Sequence, residues 1–240
     1  MRELLVVDLG QQAYADALTL QRELARARIG GTIDQDLLLF VEHPPVITLG
    51  RSSKTDHMLA SPDYLRQQGV SVFEVERGGD VTFHGPGQLV GYPIIDLKRH
   101  RRDLHWYLRQ VEQLLIDALA TYGLACGRRP PYTGVWIDDR KIASIGVHAR
   151  DWVTWHGFAL NVATDLRYFD LIVPCGIQAV RMTSIQAELP NDVPSLAEVE
   201  QRVVVAAAEL FDLTPRSVAL ADLTAATHGP ATAAADGAGR

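Results

Sequence analysis

The sequence predicts an α+β fold, a mixed, mainly antiparallel sheet with flanking helices. Three observations carry that expectation. Three segments repeat apolar side chains at the helical period, and eight shorter segments are rich in Val, Ile and aromatic residues. Within residues 135–162, consecutive strands are separated by only a few residues, which turns the chain back antiparallel rather than into βαβ units.

In chain order, residues 4–8 form the first expected strand. Over residues 14–28, Tyr14, Ala17, Leu18, Gln21, Leu24 and Ala25 share one stripe and Arg22, Glu23 and Arg26 lie off it, an amphipathic helix closed by Gly30-Gly31. Strands follow at residues 37–41, 46–49, 70–75 and 89–96, and the glycine-rich stretch 77–88 between the last two reads as a loop. Residues 103–123 hold the clearest helix, from Asp103 as N-cap to Gly123 just past its end, with Tyr107, Val111, Leu114, Leu115, Ala118 and Leu119 in period. A meander of strands at 135–137, 142–149 and 153–162 comes next, and Ser195-Leu196-Ala197-Glu198 has the capping-box spacing that opens a third helix. The end of the chain is rich in Ala and Gly without an apolar face. The expected organisation is therefore one folded domain over residues 1–215 and a disordered tail over 216–240.

The chain has 240 residues with 47% hydrophobic and 22% charged, enough to bury a core without staples. No apolar run approaches the roughly 20 residues that cross a bilayer, and the N-terminus lacks the pattern of a secretory signal, so a cytoplasmic address is expected. A net charge of -6 argues against a nucleic-acid partner. The two cysteines, Cys126 and Cys175, show neither CxxC nor Cys/His ligand spacing, so neither a metal site nor a disulfide framework is expected. The basic run Lys98-Arg99-His100-Arg101-Arg102 is either a solvated linker or a patch that steers an acidic partner.

Chemistry concentrates in a few places. Residues 77–88 put four glycines among charged and hydrogen-bonding side chains, which suits either close approach to a ligand or a plain hairpin, and contain no phosphate-binding P-loop. Cys175, between Pro174 and Gly176, is either a small buried apolar side chain or a thiol presented on a turn. Lys141 follows Asp138-Asp139-Arg140 and reads, taken alone, as an exposed turn lysine. His43, His84, His148 and His156 read as single core or rim histidines.

Five ordered blocks carry a resemblance: residues 43–51, residues 77–88, Gly134-Val135-Trp136 with residues 141–146, residues 156–162, and residues 174–177 with Thr183-Ser184. Together they resemble the octanoyl transferases of lipoate biosynthesis. The resemblance implies the catalytic-domain fold shared by biotin and lipoate protein ligases, and transfer of octanoyl from an acyl carrier protein thioester to a lysine of a lipoyl domain. The acceptors it implies are the lipoyl domains of 2-oxoacid dehydrogenase complexes and the glycine cleavage H protein, with no cofactor. By motif position Cys175 is the nucleophile and Lys141 its proton partner. Arg77, Gly78, Gly79, Asp80, Val81, Thr82, Phe83 and His84, with Ser144, Ile145, Gly146, Gly157, Phe158 and Ala159, match the segments that line the acyl pocket. A thioester is already activated, so no ATP is needed. An ATP-dependent lipoate or biotin ligase, a non-catalytic acyl-binding module and a cysteine hydrolase are the alternatives. If Lys141 does not activate the thiol, His84 is the next candidate.

Overall fold

Alternation of apolar residues on both faces of the same strands organises the molecule. The structure, a computed structural model, describes residues 2–177 and 180–223. The chain runs β1 (Arg2–Gln11), α1 (Tyr14–Gly30), β2 (Asp36–Glu42), β3 (Val46–Leu49), α2 (Pro62–Gln67), β4 (Ser71–Glu74), β5 (Val81–His84), β6 (Gln88–Ile94) and α3 (Leu104–Ala120). It continues through β7 (Gly127–Arg129), β8 (Tyr132–Ile137), β9 (Arg140–Arg150), β10 (Val153–Asn161), β11 (Arg181–Met182), α4 (Ile185–Glu188), α5 (Leu196–Phe211) and β12 (Leu213–Ser217).

Among the described residues the main sheet has nine strands in the order β12-β1-β2-β6-β10-β9-β8-β7, with β11 beside β9, and a second sheet has the order β4-β3-β5. The β8-β9-β10 meander is antiparallel, as its short turns require. The pairs β1–β2, β1–β12, β3–β4 and β9–β11 are parallel, so the sheet is mixed. Leu4, Val6, Leu38 and Phe40 face a core closed by α3 and α5, while Leu5, Val7, Leu37 and Leu39 face α1. Helices on both faces are why β1 and β2 read as nearly continuous apolar runs.

The three long helices fall where the periodicity places them, and Ser195 and Glu198 form the expected capping box. Two expectations are corrected. The stretch 77–88 is not all loop, because Val81–His84 is a fully buried strand paired with β3. The folded unit also runs past residue 215: β12 continues to Ser217 along β1, and Leu223 is buried in the α1 core. The rest of the expected tail, residues 224–240, lies outside the described residues. No helix among the described residues is long and apolar enough to cross a membrane.

Four residues of the basic run 98–102 are ion-paired within the fold. Lys98 pairs with Asp96, Arg99 with Asp34, His100 with Asp36 and Arg101 with Asp103, while Arg101 and Arg102 remain exposed. His100 joins a deeper cluster: the almost completely buried Arg28 bridges Asp36 at 3.3 Å and Asp96 at 3.5 Å, tying the end of α1 to β2 and to the chain after β6. Removing one member of a buried ionic cluster strands the others. Arg28→Met should therefore cost about 3–5 kcal/mol of stability, read from urea unfolding midpoints. A loss under about 1 kcal/mol would show that the cluster is solvated.

Candidate active site

Lys141 is the second residue of β9, with its main chain paired to Trp136 of β8 on one side and Met182 of β11 on the other. It is not the exposed turn lysine that its acidic neighbours suggest. Its residue is 1% exposed, and Nζ lies 5.5 Å from the centre of the Trp136 ring. Gly134 makes the space. Its φ is +136°, and a Cβ built on it would sit 2.5 Å from Lys141 Cε and 2.7 Å from the Ala143 carbonyl. Gly134 N–H donates to Oε1 of the fully buried Glu112 at 3.1 Å, and Arg109 and Arg128 hold the other oxygen of that carboxylate at 2.6 and 2.9 Å. An α3 carboxylate thus fixes the backbone against which the lysine stem rests.

Cys175 sits in a tight turn, Pro174–Gly176, with φ 56° and ψ 18°, a left-handed conformation that is uncommon outside glycine. Gly176 N–H donates to the Val173 carbonyl at 2.9 Å and Ile177 N–H to the Pro174 carbonyl at 3.1 Å. The turn brings Sγ to 3.0 Å from Lys141 Nζ and 3.8 Å from Ser144 Oγ. Burial opposes ionisation of this thiol. The Lys141 charge and hydrogen bond, the Ser144 hydroxyl and the Arg77 guanidinium outweigh it, and the thiol titrates below its ordinary value. Cys126 has the opposite surroundings: burial, reinforced by the charge of Glu188, pushes it up to about 12. The surroundings favour ionisation of Cys175 and oppose that of Cys126.

Cys175 opens onto a cavity of about 250 Å³. Of the expected binding residues, Arg77, Gly79, Asp80, Thr82, His84, Ser144, Ile145, Gly146, Gly157, Phe158 and Ala159 line it. Ser144 and Gly146 stand directly across from Ala159 and Gly157 in the β9–β10 ladder, so two adjacent strands supply one wall. The strand period corrects two assignments. In β5, Thr82 and His84 face the cavity, whereas Val81 and Phe83 face the opposite way into a core with Phe169 and Ile172. Gly78 is not in the wall; its N–H donates to the Val147 carbonyl at 2.8 Å and seals the segment onto β9. Arg77 is held by the Thr48 carbonyl at 2.7 Å and by Thr48 Oγ1 at 2.8 Å, with its guanidinium at the cavity.

His84 is not placed to activate the thiol. It bonds to Gln88 at 2.8 Å, and burial, assisted by its cationic and histidine neighbours, pulls it down to about 3, which leaves it neutral at pH 7. Tyr14, Val90, Tyr92, Pro131, Tyr132 and Thr133 also line the cavity without having been singled out in the sequence as cavity residues, and His156 and Ile177 join them. Tyr14 was legible only as one member of the buried stripe of α1. Among the described residues no group of three or more His, Cys, Asp or Glu is placed to hold a metal ion.

The fold is that of solved lipoate protein ligases. A lipoate-protein ligase A bound with ATP shares the fold at TM-score 0.75, 18% identity, over 92% of this chain and 90% of that one. So does a bi-partite lipoate protein ligase from Thermoplasma acidophilum, at TM-score 0.75, 17% identity, over 92% and 88%. The chain belongs to the lipoyl protein ligase A/B catalytic domain family, whose model matches residues 13–208. Among curated relatives, the octanoyltransferase of Solibacter usitatus is 51% identical over 88% of this chain and 94% of its own length. That of Rubrobacter xylanophilus is 53% identical over 81% and 87%, and that of Chloroflexus aurantiacus 50% identical over 92% and 100%.

The gap at Gly134 gives a direct test of the lysine's placement. A methyl group there must displace Lys141 from Sγ, and misplacing a reacting group by about 1 Å can cost ~100-fold in rate. Gly134→Ala should lose at least about tenfold in turnover with the native circular dichroism spectrum retained. Turnover within about twofold of the unaltered enzyme would show that Lys141 does not need this seat.

Proposed function

We propose that this protein carries an octanoyl group from the thioester of an acyl carrier protein to the amine of a lysine on a lipoyl domain, through an acyl-enzyme at Cys175. The 3.0 Å contact between Lys141 Nζ and Cys175 Sγ, at the wall of a cavity with apolar stretches, is the observation that carries it. Relatives near 50% identity that are named octanoyltransferases support the choice of acyl group.

In the first half-reaction the Cys175 thiolate attacks the thioester carbonyl and a tetrahedral oxyanion forms. It collapses to the new thioester on Sγ, and the departing carrier thiolate takes a proton from the Lys141 ammonium. In the second, the neutral Lys141 amine removes a proton from the incoming lysine as that nitrogen attacks the acyl carbon. The amide forms and Sγ leaves as thiolate, once more beside an ammonium. Lys141 acts as acid in the first half and as base in the second, so the pair is restored after one turnover. Exchange of a thioester for an amide runs downhill without ATP.

Val90, Ile145, Phe158, Ala159 and Ile177 supply apolar wall for the acyl chain. We place the reaction in the cytoplasm, with lipoyl domains of 2-oxoacid dehydrogenase complexes and the glycine cleavage H protein as acceptors.

Intact-protein mass after mixing with octanoyl acyl carrier protein tests the reading. One octanoyl adduct should appear without ATP, be absent from Cys175→Ala and disappear when a lipoyl domain is added. An adduct that survives in Cys175→Ala would contradict it. Strict dependence on ATP would point to an adenylate-forming ligase.

A further inference from the structure

The turn that presents Cys175 rests on a pair that the proposed chemistry does not use. His57 Nδ1 lies 2.7 Å from Asp80 Oδ2, and the two side chains are only 15% and 9% exposed. Both are anchored through the backbone. The His57 carbonyl accepts from Val173 N–H at 2.8 Å, and the Leu171 carbonyl accepts from Leu59 and Ala60 N–H at 3.0 and 3.1 Å. The Asp80 carbonyl accepts from Gly50 N–H at 3.3 Å, and its Oδ1 accepts from Val81 N–H at 2.7 Å. Three separate stretches of chain therefore meet beside the nucleophile, and His57 and Asp80 form their junction.

Gly176 lies flat against that junction. A Cβ built on it would stand 2.5 Å from Asp80 Oδ2 and 2.9 Å from His57 Cε1. Cys175, one residue earlier, holds its left-handed φ of 56°, a conformation that persists in a residue with a side chain only where its surroundings enforce it. Two positive charges act on the thiol. Lys141 faces it from β9 and Arg77 from the segment before β5, with His84 on β5 and His156 on β10 in the same cavity wall. Asp80 lines that cavity as the carboxylate beside the cysteine turn, and an unpartnered carboxylate there would oppose a thiolate. Arg77 gives its hydrogen bonds to Thr48 and Gly78, so its charge acts on Asp80 only from a distance. Among the described residues, His57 is the side chain that bonds to Asp80.

We propose that His57 is a positioning residue for the nucleophile: its hydrogen bond holds the Asp80 carboxylate to itself rather than to the Cys175 thiolate, and its ring backs the turn that presents the thiol. The proposal rests on the reading of Cys175 as the reactive thiol. Its test uses no acyl donor, so it stands or falls separately from octanoyl transfer.

The test is the pH dependence of Cys175 alkylation by iodoacetamide in the full chain, read by peptide mass. His57→Ala leaves the Asp80 charge without its partner and should raise the midpoint by about one pH unit, or about tenfold less thiolate at a fixed pH below it. Adding Asp80→Asn removes the opposing charge and should recover at least half of that shift. Asp80→Asn alone keeps an oxygen to accept from His57 and should leave the midpoint at or below that of the unaltered enzyme; this arm serves even where His57→Ala does not fold. An unmoved midpoint in His57→Ala, a double variant as displaced as the single one, or a raised midpoint in Asp80→Asn would each overturn the proposal.

Discussion

Everything at this site depends on holding a lysine nitrogen 3.0 Å from a cysteine sulfur inside the protein. Burial works against both charged forms, so the ion pair persists only where geometry and hydrogen bonds offset the lost hydration. The structure meets that requirement from several directions. Trp136 lies within cation–π range of Nζ, Ser144 approaches Sγ, and Arg77 adds a second positive charge near the thiol. At 3.0 Å the two groups lie close enough to pass a proton between them. A pair of that kind suits a reaction that needs thiolate with ammonium at one stage and acyl-thioester with free amine at another.

The fold divides this work between its two sheets. The large sheet is covered on both faces, and its β9 and β10 carry Lys141, Ser144 and the wall made with Gly157 and Ala159. The small sheet carries what must approach from the other side: Thr48 holds Arg77, and β5 presents Thr82 and His84 while burying Val81 and Phe83. The cysteine turn hangs between them through the hydrogen bond from Val173 to His57. The cavity is formed where elements distant in sequence converge, and each contributes only a few side chains.

The long elements were legible because their period is long enough to read: α1, α3, α5 and the antiparallel meander fall where the pattern puts them. Short elements were less so. Val81–His84 is four residues wedged between glycine-rich stretches, and its local composition signals a turn even though β3 makes it a buried strand. Lys141 shows the same limit from the other side. Asp138, Asp139 and Arg140 mark a solvent-facing turn, and nothing in that neighbourhood reveals that Gly134, Trp136 and β11 enclose the next residue. The five motif blocks did select Cys175 and Lys141, since motif order carries information that local pattern does not. His57 and Glu112 lay outside those blocks. Their roles arise from tertiary contact with Asp80 and Gly134, and no spacing in the chain announces it.

Lys141 is what stabilises the Cys175 thiolate. The most direct measurement is an ultraviolet titration of the thiolate in the unaltered protein and in Lys141→Met, which keeps a stem of similar length without the charge. Loss of the ammonium leaves burial opposed only by Ser144 and Arg77, so the account predicts that the midpoint rises by at least about one unit. Coincident titration curves for the two proteins would contradict it.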